Sequence, residues 1–245
     1  MTEPLKDRVY NQLLAFAQYS YDLPKILEFV AHYSSGNKKS GKVLDVGCGY
    51  GKKLKPLQEA GYDVLGVDIN PQLIAVNRAK GLNCLTVDEF AGHDEQFDLL
   101  LMSHIIEHFP PGELKNFMDS YLDHLKMGGY LIIATPLLSN LFYEDFDHVK
   151  PYYPQGILMV FGDRYDDQVQ YTSRNKLRLL DLWLRRRPYI PQFHKGRYMS
   201  RGTWQNKVFL VLVVALILLY RLSFRFIGQT DGWVGVFQKV KPISK

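Results

Sequence analysis

The stretch DVGCGYG, residues 45–51, sets three glycines at alternate positions directly after a short apolar run and just before a helical stretch over about 52–60. A strand that turns into a helix through glycines admits a ligand against its backbone. Gly47, Gly49 and Gly51 have no Cβ to hold a bound molecule away, and they tolerate the backbone angles of a tight reversal. The following helix then directs its free N–H groups at whatever sits in the turn.

The rest of the chain repeats this strand-to-helix pattern. Apolar strand-like runs occur at 43–46, 63–67, 84–87, 97–102 and 130–135, mostly with helical patterns between them. That alternation predicts βαβ units, an open parallel sheet with helices on both faces, and a ligand at the carboxyl ends of the strands. Asp45, Asp68 and Asp88 end the first three runs. An acidic group at the second position is placed to accept hydrogen bonds from a ribose diol. Any one of them alone is also an ordinary helix cap or turn residue, but three in equivalent places point to a ligand. Residues 9–33 have helical spacing interrupted at Pro24, which predicts two short helices packed on the sheet. With 245 residues and 47% hydrophobic content, one principal domain is expected.

The two cysteines, Cys48 and Cys84, form no CxxC pair, and MTEPLKDRVY is polar. Together these predict a reducing, cytoplasmic setting without a signal peptide. Charge is unevenly distributed: residues 1–181 hold 18 Lys/Arg against 24 Asp/Glu, a net of −6, and residues 182–245 hold 12 against 1, a net of +11. No acidic residue lies between Leu182 and Thr230, so this segment predicts an anionic partner.

DVGCGYG resembles the D/E-x-G-x-G-x-G motif of class I S-adenosylmethionine-dependent methyltransferases. GVDINPQLI (66–74), FDLLLMSHIIEHF (97–109) and LKMGGYLIIATP (125–136) resemble that family's later motifs in the same order. Lys52 stands where a nicotinamide-type GxGxxG would need glycine. The resemblance implies a Rossmann-like three-layer α/β/α sandwich, with a mostly parallel seven-stranded sheet and a final antiparallel strand. It also implies S-adenosyl-L-methionine as cofactor. Carried over by position, Asp45, Gly47 and Gly49, with Gly51 closing the turn, would line the methionine part. Asp68 would hold the ribose hydroxyls and Ile69 would flank the adenine. Asp88 would accept from the adenine amino group beside Glu89 and Phe90, and Met102 and Ser103 would floor the pocket. The implied division is N-terminal helices over 1–40, a cofactor-binding core over 41–162, a basic region leading to the sixth strand over 163–203, an apolar helix over 204–227 and the last strand over 228–245.

Two histidines are candidates for the chemistry. HIIEH places His104, Glu107 and His108 on one face if helical, a set able to ligate a divalent metal and similar to an ExxEH pattern in methyltransferases of quinone precursors or RNA ends. His104 stands where that pattern has Glu, and the expected role of the group is structural, with no metal. Directly after the fourth strand, His104 is the expected general base. His148 lies in DFDHVKPYYPQGI (145–157), which resembles the post-strand loop of members acting on sugars, quinones and lipids. It is either a base for a hydroxyl acceptor or a loop anchor. Tyr143, Tyr152 and Tyr153 either line the acceptor site or cover the sheet.

The tail departs from the family. KLRLLDLWLRRRPY (176–189) fits either a strand or a helix. Beyond it, 13 uninterrupted apolar residues run from Val208 to Tyr220, within a possible 204–227 helix about 36 Å long. GWVGVFQKVKP (232–242) resembles the family's last strand and must return to the sheet, so a monotopic helix or hairpin in one leaflet is expected rather than a span or a core helix. The expected acceptor is a lipid-linked or amphiphilic small molecule with a hydroxyl, met at an anionic membrane surface by a peripherally or monotopically bound enzyme. The alternatives are an RNA methyltransferase and a non-catalytic membrane adaptor. Nucleic acid is disfavoured because the basic residues are interleaved with an aliphatic run.

Overall fold

The computed structural model describes residues 22–34, 41–139, 141–163, 170–189, 191, 195, 198–200, 202–224 and 226–241. Its strands are β1 (Lys42–Val46), β2 (Asp63–Asp68), β3 (Cys84–Thr86), β4 (Phe97–Ser103), β5 (Leu125–Pro136), β6 (Lys176–Arg187) and β7 (Gln229–Val240). They form one 7-stranded sheet in the order β3-β2-β1-β4-β5-β7-β6. The first five pair in parallel, and β7 runs antiparallel between β5 and β6. The helices are α1 (Asp22–Ser34), α2 (Leu54–Glu59), α3 (Pro71–Ala79), α4 (Val87–Phe90), α5 (Pro111–Leu122), α6 (Pro154–Phe161) and α7 (Trp204–Leu222).

Successive side chains of a strand point to opposite faces, so a sheet covered on both sides divides its apolar residues between two cores. One core takes Leu44, Val46, Leu100, Met102, Leu131, Ile133, Trp233 and Phe237. The other takes Val43, Leu99, Leu101, Ile132, Ala134, Val234 and Val236. The expected sandwich with its antiparallel strand is therefore the observed one.

Several local expectations differ. α1 runs through Pro24 without a break, because a proline in the first helical turn sacrifices no intrahelical hydrogen bond. The other expected helix falls on residues outside the described ones. The third run ends at Thr86, whose hydroxyl accepts from the Glu89 amide and caps α4, so Asp88 lies in a helix turn instead of ending a strand. HIIEH is not a helical face either. His104 adopts a left-handed φ of 56° after β4, and only the 3-10 turn Ile106–His108 follows. Residues 176–187 are strand, and the apolar helix stops at Leu222 rather than 227.

β7 carries the largest wholly buried side chain. Trp233 is 1% exposed, and its indole N–H donates to the Tyr152 carbonyl at 2.8 Å. Trp233→Ala is expected to cost about 3–5 kcal/mol in denaturant unfolding, since it leaves a cavity and an unpaired carbonyl.

Candidate functional site

The glycine turn sits where β1 and β2 end. The Gly47 and Cys48 amides both donate to the Val67 carbonyl, at 2.8 and 3.0 Å, which folds the turn back over the adjacent strand. Gly47 has a left-handed φ of 70°, which favours glycine, and a Cβ there would stand 2.5 Å from Ile105 Cδ1. Gly49 has a φ of 53° and open space where its Cβ would be. Asn77 of α3, fully buried, donates to the Gly49 carbonyl at 2.7 Å and pins the turn.

Asp68 Oδ2 accepts from the Gly49 amide at 2.8 Å, and Oδ1 accepts from the Asn70 amide at 2.9 Å. These bonds fix the carboxylate while leaving lone pairs for hydroxyl donors. Ile69 beside it is 84% exposed, an apolar surface next to the turn. Asp45 is 0% exposed and neither carboxylate oxygen has a hydrogen-bond partner; Lys53 Nζ stands 3.8 Å away. Burial pushes Asp45 up to about 6, against the pull of Lys53. A buried carboxylate without a donor beside an open glycine turn fits an ammonium group, as the amino end of S-adenosylmethionine requires.

Other residues assigned by position have different surroundings. Asp88 is exposed, and Glu89 is committed to Arg78 at 2.6 Å and to the Thr86 capping box. The hydrogen bonds from Arg78 and the Thr86 amide hold Glu89 down to about 2. Phe90 packs in the core against Tyr121. Met102 lies wholly within the core, and Ser103 is buried at the end of β4. Tyr152 is also structural, its hydroxyl donating to the Phe109 carbonyl, whereas Tyr143 and Tyr153 are exposed.

The chemistry candidates converge around Glu107. This residue is 0% exposed, its Oε2 accepts from the Thr135 hydroxyl at 2.9 Å, and its Oε1 has no hydrogen bond. Its backbone carbonyl accepts from the Val149 and Lys150 amides, which draws the post-β5 loop over it. His104 Nδ1 lies 3.4 Å from Oε1 on one side, and His148 Nε2 lies 4.0 Å from it on the other. His104 Nε2 also meets Asp22 Oδ2 at 2.6 Å, and Asp22 is held in turn by Arg185 at 2.6 Å. Burial opposes charge on His104, but the two carboxylates outweigh it and raise the imidazole to about 9. Both ring nitrogens of His104 thus face carboxylates, a setting that favours the charged imidazole and suits a fixed cation better than the expected general base.

His148 has the opposite arrangement. Its Nδ1 lies 2.8 Å from the Phe142 carbonyl, which can only accept, so Nδ1 carries the proton and Nε2 keeps a lone pair in the neutral ring. His108 likewise turns Nδ1 to the Asp147 carbonyl at 3.1 Å. Among the described residues, one donor atom each from Glu107, His108 and His148 lies within 4.8 Å of the others. The structure thus replaces His104 with His148 in the possible metal set. The sequence did not reveal Asp22, Asn77 or Arg185, since each acts on a partner distant in the chain and none belongs to a motif. The run 185–187 is also not free: Arg185 and Arg187 pair with Asp231, and Arg186 donates to the Phe226 and Gly228 carbonyls.

A family model described as a methyltransferase domain matches residues 15–203. A ubiquinone biosynthesis O-methyltransferase of Sinorhizobium fredii is 30% identical over 105 residues, 40% of this chain and 42% of that protein. One from Hydrogenovibrio crunogenus is 26% identical over 121 residues, 46% of this chain and 48% of the relative. The chain thus spans less than half the length of these curated relatives. A solved S-adenosylmethionine-dependent methyltransferase from Archaeoglobus fulgidus superposes with a TM-score of 0.54 at 23% identity, over 94% of this chain and 99% of the other. The magnesium protoporphyrin IX methyltransferase of Synechocystis, solved with bound cofactor, superposes at 0.52 with 14% identity, over 89% and 79%.

Asp45 makes a prediction independent of catalysis. Its folded value of about 6 lies above the ordinary 3.8, so its charge destabilises the unliganded fold above pH 6, and that penalty fades as pH falls toward 4. Asp45→Asn is expected to stabilise the unliganded protein at neutral pH by up to about 3 kcal/mol. Denaturant titrations should show the advantage shrinking between pH 6 and 4.

Proposed function

Because this chain belongs to the methyltransferase-domain family and has the class I, S-adenosylmethionine-dependent fold, we propose that it transfers a methyl group from that cofactor to a hydroxyl of an amphiphilic or lipid-linked acceptor at a membrane surface. The observation that carries the cofactor assignment is the buried Asp45 carboxylate, which accepts no hydrogen bond, beside the open Gly49 turn. When bound, S-adenosylmethionine supplies a sulfonium-activated methyl group. Asp45 would hold its ammonium end, Asp68 its ribose hydroxyls, and Ile69 would lie along its base. The relatives named for O-methylation support a hydroxyl acceptor.

In this reading His148 is the base. Its Nε2 takes the acceptor's hydroxyl proton, and Glu107 Oε1 stabilises the imidazolium that results. His104, locked between Asp22 and Glu107, is a fixed positive charge beside the oxygen that becomes anionic. Most of the rate comes from positioning the oxygen in line with the methyl group.

The Glu107–His108–His148 cluster favours a second reading, in which these residues ligate a divalent cation that binds the acceptor oxygen. The backbone carbonyls on both Nδ1 atoms orient the rings as outer partners do in metal centres.

Calorimetry of the full chain should show S-adenosylmethionine binding that Asp45→Asn and Asp68→Ala abolish; a folded wild-type protein with no binding would refute the enzyme reading. His148→Gln is expected to lower kcat about 10²- to 10⁴-fold with cofactor affinity retained. Chelation followed by metal analysis separates the two roles. Activity that is insensitive to chelator assigns His148 as the base, and activity lost and restored by divalent metal assigns it as a ligand.

A further inference from the structure

α7 turns apolar side chains away from the protein. Asn206, Val213, Ile217 and Tyr220 are buried, whereas Val208, Val211, Leu212, Leu218, Leu219 and Leu222 are exposed. Only 17% of its most apolar stretch is buried. A helix that covers a sheet buries an apolar stripe and shows a polar back; α7 buries such a stripe at Val213, Ile217 and Tyr220 but its back is apolar as well. Continuous apolar surface on this scale marks an interaction site.

The ends of α7 determine how it meets that partner. β6 runs toward the carboxyl end of the sheet and β7 starts back from it, so the connection containing α7 leaves and returns at the end where the site lies. Near the helix C-terminus the Tyr220 hydroxyl donates to the Arg186 carbonyl at 2.6 Å. A Cβ on Gly228 would stand 2.7 Å from the Tyr220 ring, so that corner closes only around glycine. Ahead of the N-terminus, the Tyr198 hydroxyl meets Glu144 Oε1 at 3.3 Å, on the loop that carries His148. A 19-residue helix is about 28 Å long, close to a hydrocarbon thickness of about 30 Å. Its anchors lie at one end of one sheet, a geometry suited to lying along a surface rather than crossing it.

That same end of the molecule exposes Phe146, at 99%, and Tyr143, at 64%, on the loop between β5 and α6. Lys195, Lys207 and Arg221 are exposed around α7, and no acidic residue occurs between Leu182 and Thr230. Apolar side chains flanked by basic ones near both helix ends, Lys207 and Arg221, match the interface of an anionic membrane.

We propose that the outward face of α7 and the Phe146 loop seat together in one leaflet of an anionic bilayer, so that the site around His148 opens onto the lipid surface. The proposal deepens the methyl-transfer reading and rests on it for what the membrane delivers. In flotation of the full chain, vesicles of phosphatidylcholine with about 30 mol% phosphatidylglycerol are expected to carry the protein, and phosphatidylcholine alone about tenfold less. Val211→Asp combined with Leu219→Asp should weaken flotation at least about tenfold, and Phe146→Ser, which changes a side chain fully in solvent, should weaken it by several-fold with an unchanged melting temperature. No flotation of the wild type, or equal flotation of all variants, overturns the proposal. So does a vesicle-free dimer that the α7 variant converts to monomer, because a second copy would then be the occupant. Cofactor calorimetry on the same samples keeps the two readings distinct: flotation without cofactor binding would sink methyl transfer and leave the membrane seat standing.

Discussion

The fold depends on β7 threading between two strands already separated in sequence. One side of β7 pairs with β5 from Tyr130 to Pro136, and the other pairs with β6 along its length. Its side chains also feed both cores, Trp233 and Phe237 on one face and Val234 and Val236 on the other. Neither face of the sheet is complete until this near-terminal strand is in place. Such non-local pairing delays the gain from each contact until a long loop has closed, which makes folding of this end slow relative to the local βα units.

The same strand assembles the charged array behind the site. Asp231, at the start of β7, receives Arg185 of β6, and Arg185 passes on to Asp22 of α1, which holds His104. Burial of several charges is tolerable when each meets an opposite partner, and removal of one leaves the others exposed to the desolvation penalty. The array therefore couples the last strand and the first described helix to the residue after β4. Through Asp22 it also places a carboxylate on the His104 ring, which favours the charged imidazole.

Features that rest on neighbouring residues were legible in the sequence. The glycine turn and the Asp45 and Asp68 positions follow from local pattern and spacing, and the return of the final strand follows from the family resemblance of 232–242. Features that rest on distant partners were not. Asp22 and His104 are 82 positions apart, and Arg185 and Asp22 are 163 apart. Local capping also overrode the third strand, since Thr86 gains a reciprocal bond with Glu89 by starting a helix there. HIIEH failed as a helix because the sheet continues one residue further: the His104 amide still donates to the Ala134 carbonyl. Within the basic segment expected to meet an anionic partner, the run 185–187 is engaged in the fold by Asp22, Asp231 and the Phe226 and Gly228 carbonyls.

The β6-to-β7 connection has a consequence for how such a chain can change. Its two ends emerge at adjacent strands, so α7 can lengthen, shorten or be replaced without altering the register of either strand, and loop-closure entropy rises only slowly with length. The residues around Asp45, Asp68 and Glu107 all precede it in the chain. The apolar helix and the residues of the candidate site are thus written in separable stretches, and one can drift while the other is held.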